Sequence, residues 1–392
     1  KDDDTEEKKD DDTEEKKDDD TEEKKDDDVD NTGKEEDAKE VAVLQEESEA
    51  RPHPHMGARD ADGKLGYVHD AAALHTKGIP WDDRDTQKIC RKGGQNGNGD
   101  ADWRMLTQKV EVDLTGHREA EERAAEFPRA KIFCVVYTVA ATHDRIPAIL
   151  ETWGQKCDGF MVASTKTDTD LYTVEIPHQG DEHYQNIWQK VRSIWSYIYD
   201  NYADDYDFFH IGGDDLYLIV ENLRLYLESE EILKLAGGAG YPQPIFLGRR
   251  FQEQGNKSLM FNSGGSGYTM NRAALKALVV DQMPKEGVCG PHLRTFAEDV
   301  MVARCFRHMG LVPYDTLDYA QGERYMPFTP GAHFQYTPPK VISMQTDWYP
   351  VYTPHKLVLG LDHCAKHSVA FHYIKGDLMR RIHAILYGHC PK

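Results

Sequence analysis

The stretch "YDFFHIGGDD", Tyr206–Asp215, joins a compact apolar run to two glycines and two adjacent carboxylates. Glycine and aspartate are common turn residues, so one interpretation is a strand that ends in an ordinary turn. A second interpretation is a ligand site, because open α/β sheets bind ligands at the carboxyl ends of their strands. Carboxylates placed there can hold a hard cation, and the cation can hold a phosphate. Features elsewhere in the chain are needed to distinguish a turn from a ligand site.

Two apolar runs and two helical patterns precede this stretch. "KIFCVVYTVAAT", from Lys131, and "GFMVAST", from Gly159, predict buried parallel strands. "RIPAILETWGQKC" between them predicts a short helix. A long amphipathic helix follows, with apolar residues three and four apart at Tyr184, Ile187, Trp188, Val191, Ile194, Trp195 and Ile198. The order strand, helix, strand, helix, strand predicts an α/β domain with a mostly parallel central sheet flanked by helices.

The charge of the chain is concentrated at its beginning. The net charge of the 392 residues is −22, and residues 1–50 alone hold 26 acidic residues and nine lysines. "KKDDDTEE" recurs there with almost no apolar residue, which predicts a disordered acidic repeat tail. The tail lacks the D-x-[DN]-x-[DN]-G pattern of a calcium loop. The remaining residues are nearly balanced in charge and indicate no nucleic-acid partner.

Residues 51–127 have little periodicity and predict a stem or loosely packed cap. "RPHPH", with His53 and His55, and "RKGGQNGNGDADW" are interpreted as loops, and "TQKVEVDL" as a strand. No run approaches the ~20 apolar residues of a membrane helix. The chain starts with Lys rather than Met, so an upstream type II membrane anchor is left open.

Downstream segments carry further candidate residues, each with a structural alternative. "PIFLGRRF" predicts a strand, and "MFNSGGSGYTMNRAALKAL" a strand, a glycine loop and a helix. The glycines let a backbone approach a ligand, or they form a tight corner. Glu298 and Asp299 start the helix of "TFAEDVMVARCFRHMG", where the helix dipole alone favours acids. His372 lies in the apolar strand "SVAFHYIKG", where a histidine commonly has a structural role.

Six segments resemble, in order, those of the core 1 β1,3-galactosyltransferase family, a branch of the fringe-like glycosyltransferases in glycosyltransferase family 31. They are "NIWQKVRSIWSYIYDNYADDYDFF", "GGDDLYLIVENLR", "PIFLGRRF", "SGGSGYTMNRAALK", "EDVMVARC" and "AFHYIKGD". The resemblance covers roughly residues 128–375. It implies a GT-A catalytic domain over residues 128–392, a UDP-sugar donor, a divalent cation that is usually Mn²⁺, and inversion at the sugar carbon.

The resemblance also assigns the donor and metal residues. The family's Asp-Asp-Asp falls on Gly213, Asp214 and Asp215, so its first acid is replaced by glycine. Asp215 corresponds to the metal ligand, and Asp214 lies beside it in the cofactor-binding set. The family's His-Tyr falls on His372 and Tyr373, with His372 as the second metal ligand.

The remaining carried-over residues concern catalysis. The Glu-Asp pair falls on Glu298 and Asp299, with Asp299 as the base. The glycine-rich acceptor-side segment falls on Ser263 to Tyr268, and its Gly264 and Gly265 join the cofactor-binding set. The aromatic acceptor segment matches loosely, as "TDWYPVY", which leaves the acceptor open.

Physical chemistry agrees with these roles. A cation at Asp215 and His372 would act as a Lewis acid on the departing diphosphate. Aspartate and histidine ligands suit manganese better than zinc. A carboxylate at Asp299 can take the proton of the acceptor hydroxyl, and one base without a protein nucleophile suits a single inverting displacement.

The seven cysteines form no C-x-x-C zinc pair. The resemblance implies disulfides Cys134–Cys157 and Cys289–Cys305, with Cys364–Cys390 as a third, which leaves Cys90 unpaired. Disulfides fit an oxidising lumen. Buried free thiols are the alternative.

The sequence therefore predicts an inverting hexosyltransferase of the Golgi lumen that adds galactose from UDP-galactose in β1,3 linkage to GalNAc on a glycoprotein. Another UDP-sugar or acceptor is one alternative. A catalytically silent, chaperone-like relative is the other, because Gly213 replaces a metal-site acid. The sequence does not establish the oligomeric state, for which a homodimer is one option.

Overall fold

The computed structural model describes residues 89–90, 99–114 and 129–390. The acidic repeat tail and the His53–His55 pair lie outside the described residues. So does most of the predicted stem. The boundaries at residues 50 and 127 stay predictions.

The strands are short, and most follow the apolar runs of the sequence. They are β1 (Ile132–Tyr137), β2 (Gly159–Ser164), β3 (Thr173–Glu175), β4 (Phe208–Gly213), β5 (Tyr217–Leu218), β6 (Phe246–Gly248), β7 (Arg250–Gln252), β8 (Met260–Asn262), β9 (Tyr268–Asn271), β10 (Tyr325–Met326) and β11 (Ala370–Phe371).

Ten α-helices lie within the described ranges. They are α1 (Gly99–Gln108), α2 (Ile146–Glu151), α3 (Ile187–Tyr202), α4 (Val220–Leu227), α5 (Glu230–Leu235), α6 (Arg272–Lys276), α7 (Glu298–Arg307), α8 (Pro330–Gln335), α9 (Trp348–Tyr352) and α10 (Gly376–Leu386). Residues Ala277–Gln282 extend α6 as a π-helical segment.

The central sheet has six strands in the order β3-β2-β1-β4-β9-β6. The pairs β2–β3, β1–β2 and β1–β4 are parallel, and β9 runs antiparallel to both β4 and β6. Five strands therefore share one direction, which confirms the predicted α/β class with a mostly parallel sheet. The register sets Tyr137 opposite Gly213, so β1 and β4 end side by side.

The antiparallel strand β9 brings a loop to this same edge. Its first residue, Tyr268, pairs with Ile211 near the end of β4. The preceding glycine loop, residues 263–267, must therefore lie at the carboxyl edge of the parallel strands. A second sheet, in the order β10-β11-β5, begins just beyond β4 and sets Phe371 opposite Tyr217. This pairing brings two distant parts of the chain to the end of β4.

Helix α3 follows the predicted pattern with one exception. Trp188, Val191, Ile194, Trp195 and Ile198 are all fully buried, as the three- and four-residue spacing requires. Tyr184 was predicted on the same apolar face, which is wrong. It lies in a 3₁₀ turn before the helix, where the helical spacing does not apply, and 66% of its surface is exposed.

The described part of the stem region is folded, and two local predictions there are wrong. Gly99–Trp103, predicted as loop, forms the start of α1. Asp100 and Asp102 stabilise its first turn, and Met105 and Leu106 are buried in the core. The segment "TQKVEVDL" begins with the last residues of α1 and then continues as coil. The N–H of Glu111 donates to the carbonyl of Lys366, and this one backbone hydrogen bond does not form a strand.

Two of the three predicted disulfides are present. Cys134–Cys157 and Cys289–Cys305 are bonded as predicted. The pair Cys364–Cys390 is wrong, and so is the unpaired Cys90, since Cys90 bonds Cys390. Cys364 is a buried free thiol. Its backbone pairs with Glu323 in an isolated β-bridge outside the named strands.

Within the ranges that the structure describes, no helix is both long enough and apolar enough to span a bilayer.

Candidate active site at the carboxyl edge of the sheet

Asp215 and His372 meet because the second sheet joins their segments. Asp215 lies between β4 and β5, and His372 directly follows β11, which pairs with β5. The backbone N–H of Ile374 donates to the carbonyl of Asp215 over 2.8 Å and fixes the two segments together. As a result, Nε2 of His372 lies 3.3 Å from Oδ1 of Asp215. The two predicted metal ligands are thus neighbours.

The other oxygen of Asp215 faces a cation that the sequence analysis did not consider. Nζ of Lys375 lies 3.4 Å from Oδ2 of Asp215. Burial of Asp215 opposes its ionisation, but the contacts with His372 and Lys375 outweigh burial and lower the pKa of its carboxyl below the ordinary value. Asp215 is therefore ionised at neutral pH.

The orientation of His372 suits a metal ligand. Its Nδ1 lies 3.2 Å from the carbonyl oxygen of Pro327. A carbonyl can only accept, so Nδ1 donates to Pro327, and Nε2 is the nitrogen that faces Asp215. A histidine whose second nitrogen donates to a backbone carbonyl is the usual arrangement around protein-bound metals.

These two donors fit a hard divalent cation but do not complete its coordination. Manganese accepts carboxylate and imidazole ligands, which are the chemistry present. In the part of the chain that the structure describes, no group of three or more His, Cys, Asp or Glu side chains is arranged to hold a metal ion. A cation at Asp215 and His372 would therefore need further ligands from a bound molecule.

The carboxylate of Asp214 is buried and bonds to other residues of the protein. Its Oδ2 accepts hydrogen bonds from the hydroxyls of Thr138 and Thr142, both at 2.7 Å. Its Oδ1 forms an ion pair with Arg145 at 2.6 Å. These partners come from the segment after β1, so Asp214 locks the ends of β1 and β4 together. The sequence analysis missed them, although the polar run "TVAATHDR" after a buried strand was a usable signal.

Gly213 lies at the site itself. A Cβ built on Gly213 would lie 3.2 Å from Oδ1 of Asp215 and 3.7 Å from the ring of Tyr137. A side chain at this position would therefore point at the candidate metal site. This is where the resemblance expects the acid that the chain lacks.

The glycine loop packs against both halves of the site. A Cβ on Gly264 would overlap Oε1 of Glu298, and a Cβ on Gly265 would overlap the imidazole of His372. The N–H of Gly264 also donates to Oδ2 of Asp299 over 2.8 Å. The two glycines thus bring Asp299 and His372 to the same loop, which a larger residue would separate.

Glu298 and Asp299 begin α7 but have different surroundings. Glu298 is almost fully buried and accepts a hydrogen bond from the Tyr268 hydroxyl over 2.9 Å. Burial, aided by the charge of Asp299, raises the pKa of Glu298 well above its ordinary value and so favours its protonated form. Its hydrogen bond with Tyr268 holds the end of the glycine loop, and its side chain does not face solvent.

Asp299 is half-buried and accepts backbone N–H groups at each carboxylate oxygen, from Gly264 and Val300, both at 2.8 Å. Burial raises the pKa of Asp299, and the two backbone bonds offset part of that rise. Each oxygen keeps a second lone pair for a proton. A fixed carboxylate with a raised pKa suits a general base.

Two tyrosines near these acids were not predicted as site residues. Burial, and then the charges of Glu298, Asp215 and Asp299, raises the pKa of Tyr137 well above its ordinary value. Tyr184 stacks on Phe296 with ring centroids 5.9 Å apart. Partial desolvation of its hydroxyl, and then the charge of Asp299, raise its pKa. Both rings therefore lie near Asp299, and only the folded chain brings them there.

No family model matches the chain. The chain is 28% identical over 290 residues to glycoprotein-N-acetylgalactosamine 3-beta-galactosyltransferase 1 of Xenopus laevis, a match that covers 73% of this chain and 75% of the relative. It is also 33% identical over 116 residues to chondroitin sulfate synthase 3 of Mus musculus and of Homo sapiens. Each of those matches covers 29% of this chain and 12% of the relative. The resemblance predicted from the motifs is confirmed, and the chain is a relative of the core 1 β1,3-galactosyltransferases and, with them, a hexosyltransferase.

Proposed function

We propose that the chain is an inverting, metal-dependent glycosyltransferase that transfers galactose from UDP-galactose, in β1,3 linkage, to GalNAc linked to Ser or Thr of a glycoprotein. One observation carries the proposal: Asp215, His372 and Asp299 come from three distant segments and converge around the same glycine loop. Convergence of these residue types at the carboxyl edge of a parallel sheet is typical of a ligand site. An ordinary turn at Gly212–Asp215 does not require it.

Asp215 and His372 would hold the divalent cation, and Asp214 would keep their loop in place through Arg145. When bound, such a cation supplies Lewis-acid stabilisation of the negative charge on the departing diphosphate. Since the nucleotide brings oxygen ligands of its own, two protein ligands suffice. We therefore expect nucleotide and metal to bind together.

Asp299 would act as the general base. It takes the proton of the acceptor hydroxyl while that oxygen forms a bond to C1 of the sugar. The bond between C1 and the diphosphate oxygen breaks on the opposite face, and its electron pair stays on UDP. One new bond replaces one broken bond, the proton ends on Asp299, and the sugar carbon is inverted.

The fold class and the disulfides support the wider setting. We infer a GT-A arrangement because the parallel part of the sheet ends at the candidate nucleotide site. We infer a lumenal, oxidising compartment such as the Golgi because six of the seven cysteines are paired.

A transfer assay tests the proposal. Purified protein is given UDP-galactose and a peptide that carries GalNAc on Thr, with manganese or with EDTA. We expect a β1,3-linked disaccharide with manganese, and its loss in Asp215→Asn and Asp299→Asn. Asp362→Asn is the matched control, because Asp362 is an exposed acid that is ion-paired with Lys109.

Three results would contradict parts of the proposal. Transfer of another sugar, or to another acceptor, would overturn the substrate assignment. Full activity of Asp215→Asn would overturn the metal site. Failure to bind UDP or to hydrolyse UDP-galactose under any condition would favour the chaperone-like relative that Gly213 suggests.

A further inference from the structure

Lys375 occupies an unusual place for a residue beside a metal ligand. Its ammonium lies 3.4 Å from Oδ2 of Asp215, while His372 faces the other oxygen at 3.3 Å. A protonated lysine cannot ligate a metal, and its charge repels a cation bound to the same carboxylate. This arrangement favours an anion at the site as much as it favours a metal.

The balance of charges at the site also favours an anion. Asp214 is matched by Arg145 at 2.6 Å, and Asp215 is matched by Lys375. Gly213 contributes no carboxylate. A divalent cation alone would therefore meet two acids that are already neutralised by basic side chains. A diphosphate would meet both the cation and the ammonium of Lys375.

The backbone holds Lys375 in this position. The N–H of Ile374, the residue before it, donates to the carbonyl of Asp215 over 2.8 Å. Tyr373 has a φ of 62°, a left-handed conformation that is uncommon for a tyrosine. This turn lets His372 and Lys375 both face Asp215. Strained residues of this kind cluster at ligand sites.

We propose that Lys375 binds the diphosphate of the sugar nucleotide, so that the chain binds UDP and stabilises the leaving group partly without metal. The inference rests on the proposed function. As the bond between C1 and the diphosphate oxygen breaks, its electron pair stays on UDP. The ammonium of Lys375 donates a hydrogen bond to that diphosphate and keeps its proton. The proton of the acceptor still goes to Asp299.

Binding of UDP and of manganese, measured separately by calorimetry on the intact protein, tests this role. The variants are Lys375→Met, which removes the charge, and Lys375→Arg, which keeps it. Lys366→Met is the matched control, because the Lys366 side chain is 51% exposed, close to the 48% of Lys375, and is ion-paired with Glu111. Thermal unfolding of each variant checks that it is folded.

We expect wild type to bind UDP in EDTA. Lys375→Met should bind UDP about tenfold more weakly there, as expected when a charged hydrogen bond is lost. The loss should be smaller with manganese. Manganese alone should bind Lys375→Met more tightly than wild type, because the competing ammonium is gone. Lys366→Met should behave like wild type, and Lys375→Arg, which keeps the charge, should lose less UDP affinity than Lys375→Met. Damage to the fold would weaken the binding of both UDP and manganese, so it would not produce these opposite effects.

Equal UDP affinity of wild type and Lys375→Met in EDTA would overturn the inference. So would UDP binding by wild type that requires manganese absolutely, which would leave the proposed function intact. If wild type bound UDP under neither condition, the proposed function would fail as well.

Discussion

Gly265 lies against the imidazole of His372 with no room for a Cβ between them. The loop and the histidine therefore position each other. We expect Gly265→Ala to displace His372 and to weaken manganese-dependent UDP binding in calorimetry. Ser266→Ala, in the same loop, is the control, since the Ser266 hydroxyl makes a long 3.4 Å contact with Ser263. Normal manganese dependence in Gly265→Ala would show that His372 is not a ligand.

Asp299→Asn should separate binding from chemistry. The amide retains the shape of Asp299 but cannot take the acceptor proton, so we expect UDP binding to persist and transfer to fall by ~10²–10⁴-fold. The pKa of Asp299 is raised, so the wild-type rate should fall as pH drops through a value above the ordinary range of aspartate. A variant with an unchanged rate, or a wild-type rate that does not depend on pH, would exclude Asp299 as the base.

Glu298→Gln should change how stability depends on pH. The pKa of Glu298 is raised by burial, so the folded state holds a proton that the unfolded state releases. Stability therefore falls as pH rises from the ordinary glutamate pKa towards the raised one. Glutamine stays neutral, so thermal unfolding from mildly acidic to mildly alkaline pH should show a flatter decline.

The same variant tests the catalytic assignment of Glu298. The side chain is buried and bonded to Tyr268, so transfer should fall less in Glu298→Gln than in Asp299→Asn. An equal loss in both variants would mean that Glu298 takes part in the reaction.

Gly213→Asp should strengthen the metal site. The Cβ of the new side chain would lie 3.2 Å from Oδ1 of Asp215, and its carboxylate would supply the acid that the family pattern contains. We expect tighter binding of manganese without UDP, and activity that is unchanged or higher. Weaker manganese binding would indicate that repulsion between two carboxylates outweighs the added ligand.

Peptide mapping without reduction should recover the three bonds Cys90–Cys390, Cys134–Cys157 and Cys289–Cys305, with Cys364 as a thiol. Loss of a native disulfide costs about 2–5 kcal/mol in a secreted domain, so Cys134→Ala with Cys157→Ala should unfold at a lower temperature. Recovery of a Cys364–Cys390 peptide would contradict the observed pairing.

The fold was predictable where its signals are local. β1, β2 and β4 are continuous apolar runs, and α3 has a clear helical spacing. The prediction failed at α1, where glycines and aspartates indicate a loop. There the helix is stabilised from a distance, since Gly331 donates its N–H to Oδ1 of Asp102. No local pattern contains that contact.

Some residues of the candidate site were likewise predictable from local motifs, and others were not. Asp215, Asp299 and His372 stand in ordered motifs and could be named from the sequence, and their roles remain predictions. Lys375 and Tyr137 could not be named, because their closeness to the acids depends on how β1, β4 and β11 are paired. Cys90 was missed for the same reason, since its partner lies 300 residues away.

The distance in sequence between Cys90 and Cys390 delays formation of their disulfide during biosynthesis. A ribosome that adds roughly 5–20 residues per second needs about 15–60 s to reach Cys390 after Cys90 has emerged. During this interval the thiol of Cys90 is exposed to Cys134 and Cys157, which emerge much earlier than its partner. Mispaired intermediates can form, and thiol–disulfide exchange has to resolve them. The yield of folded enzyme should therefore depend on oxidoreductases of the host compartment, and expression in a reducing cytosol should give mainly misassembled protein.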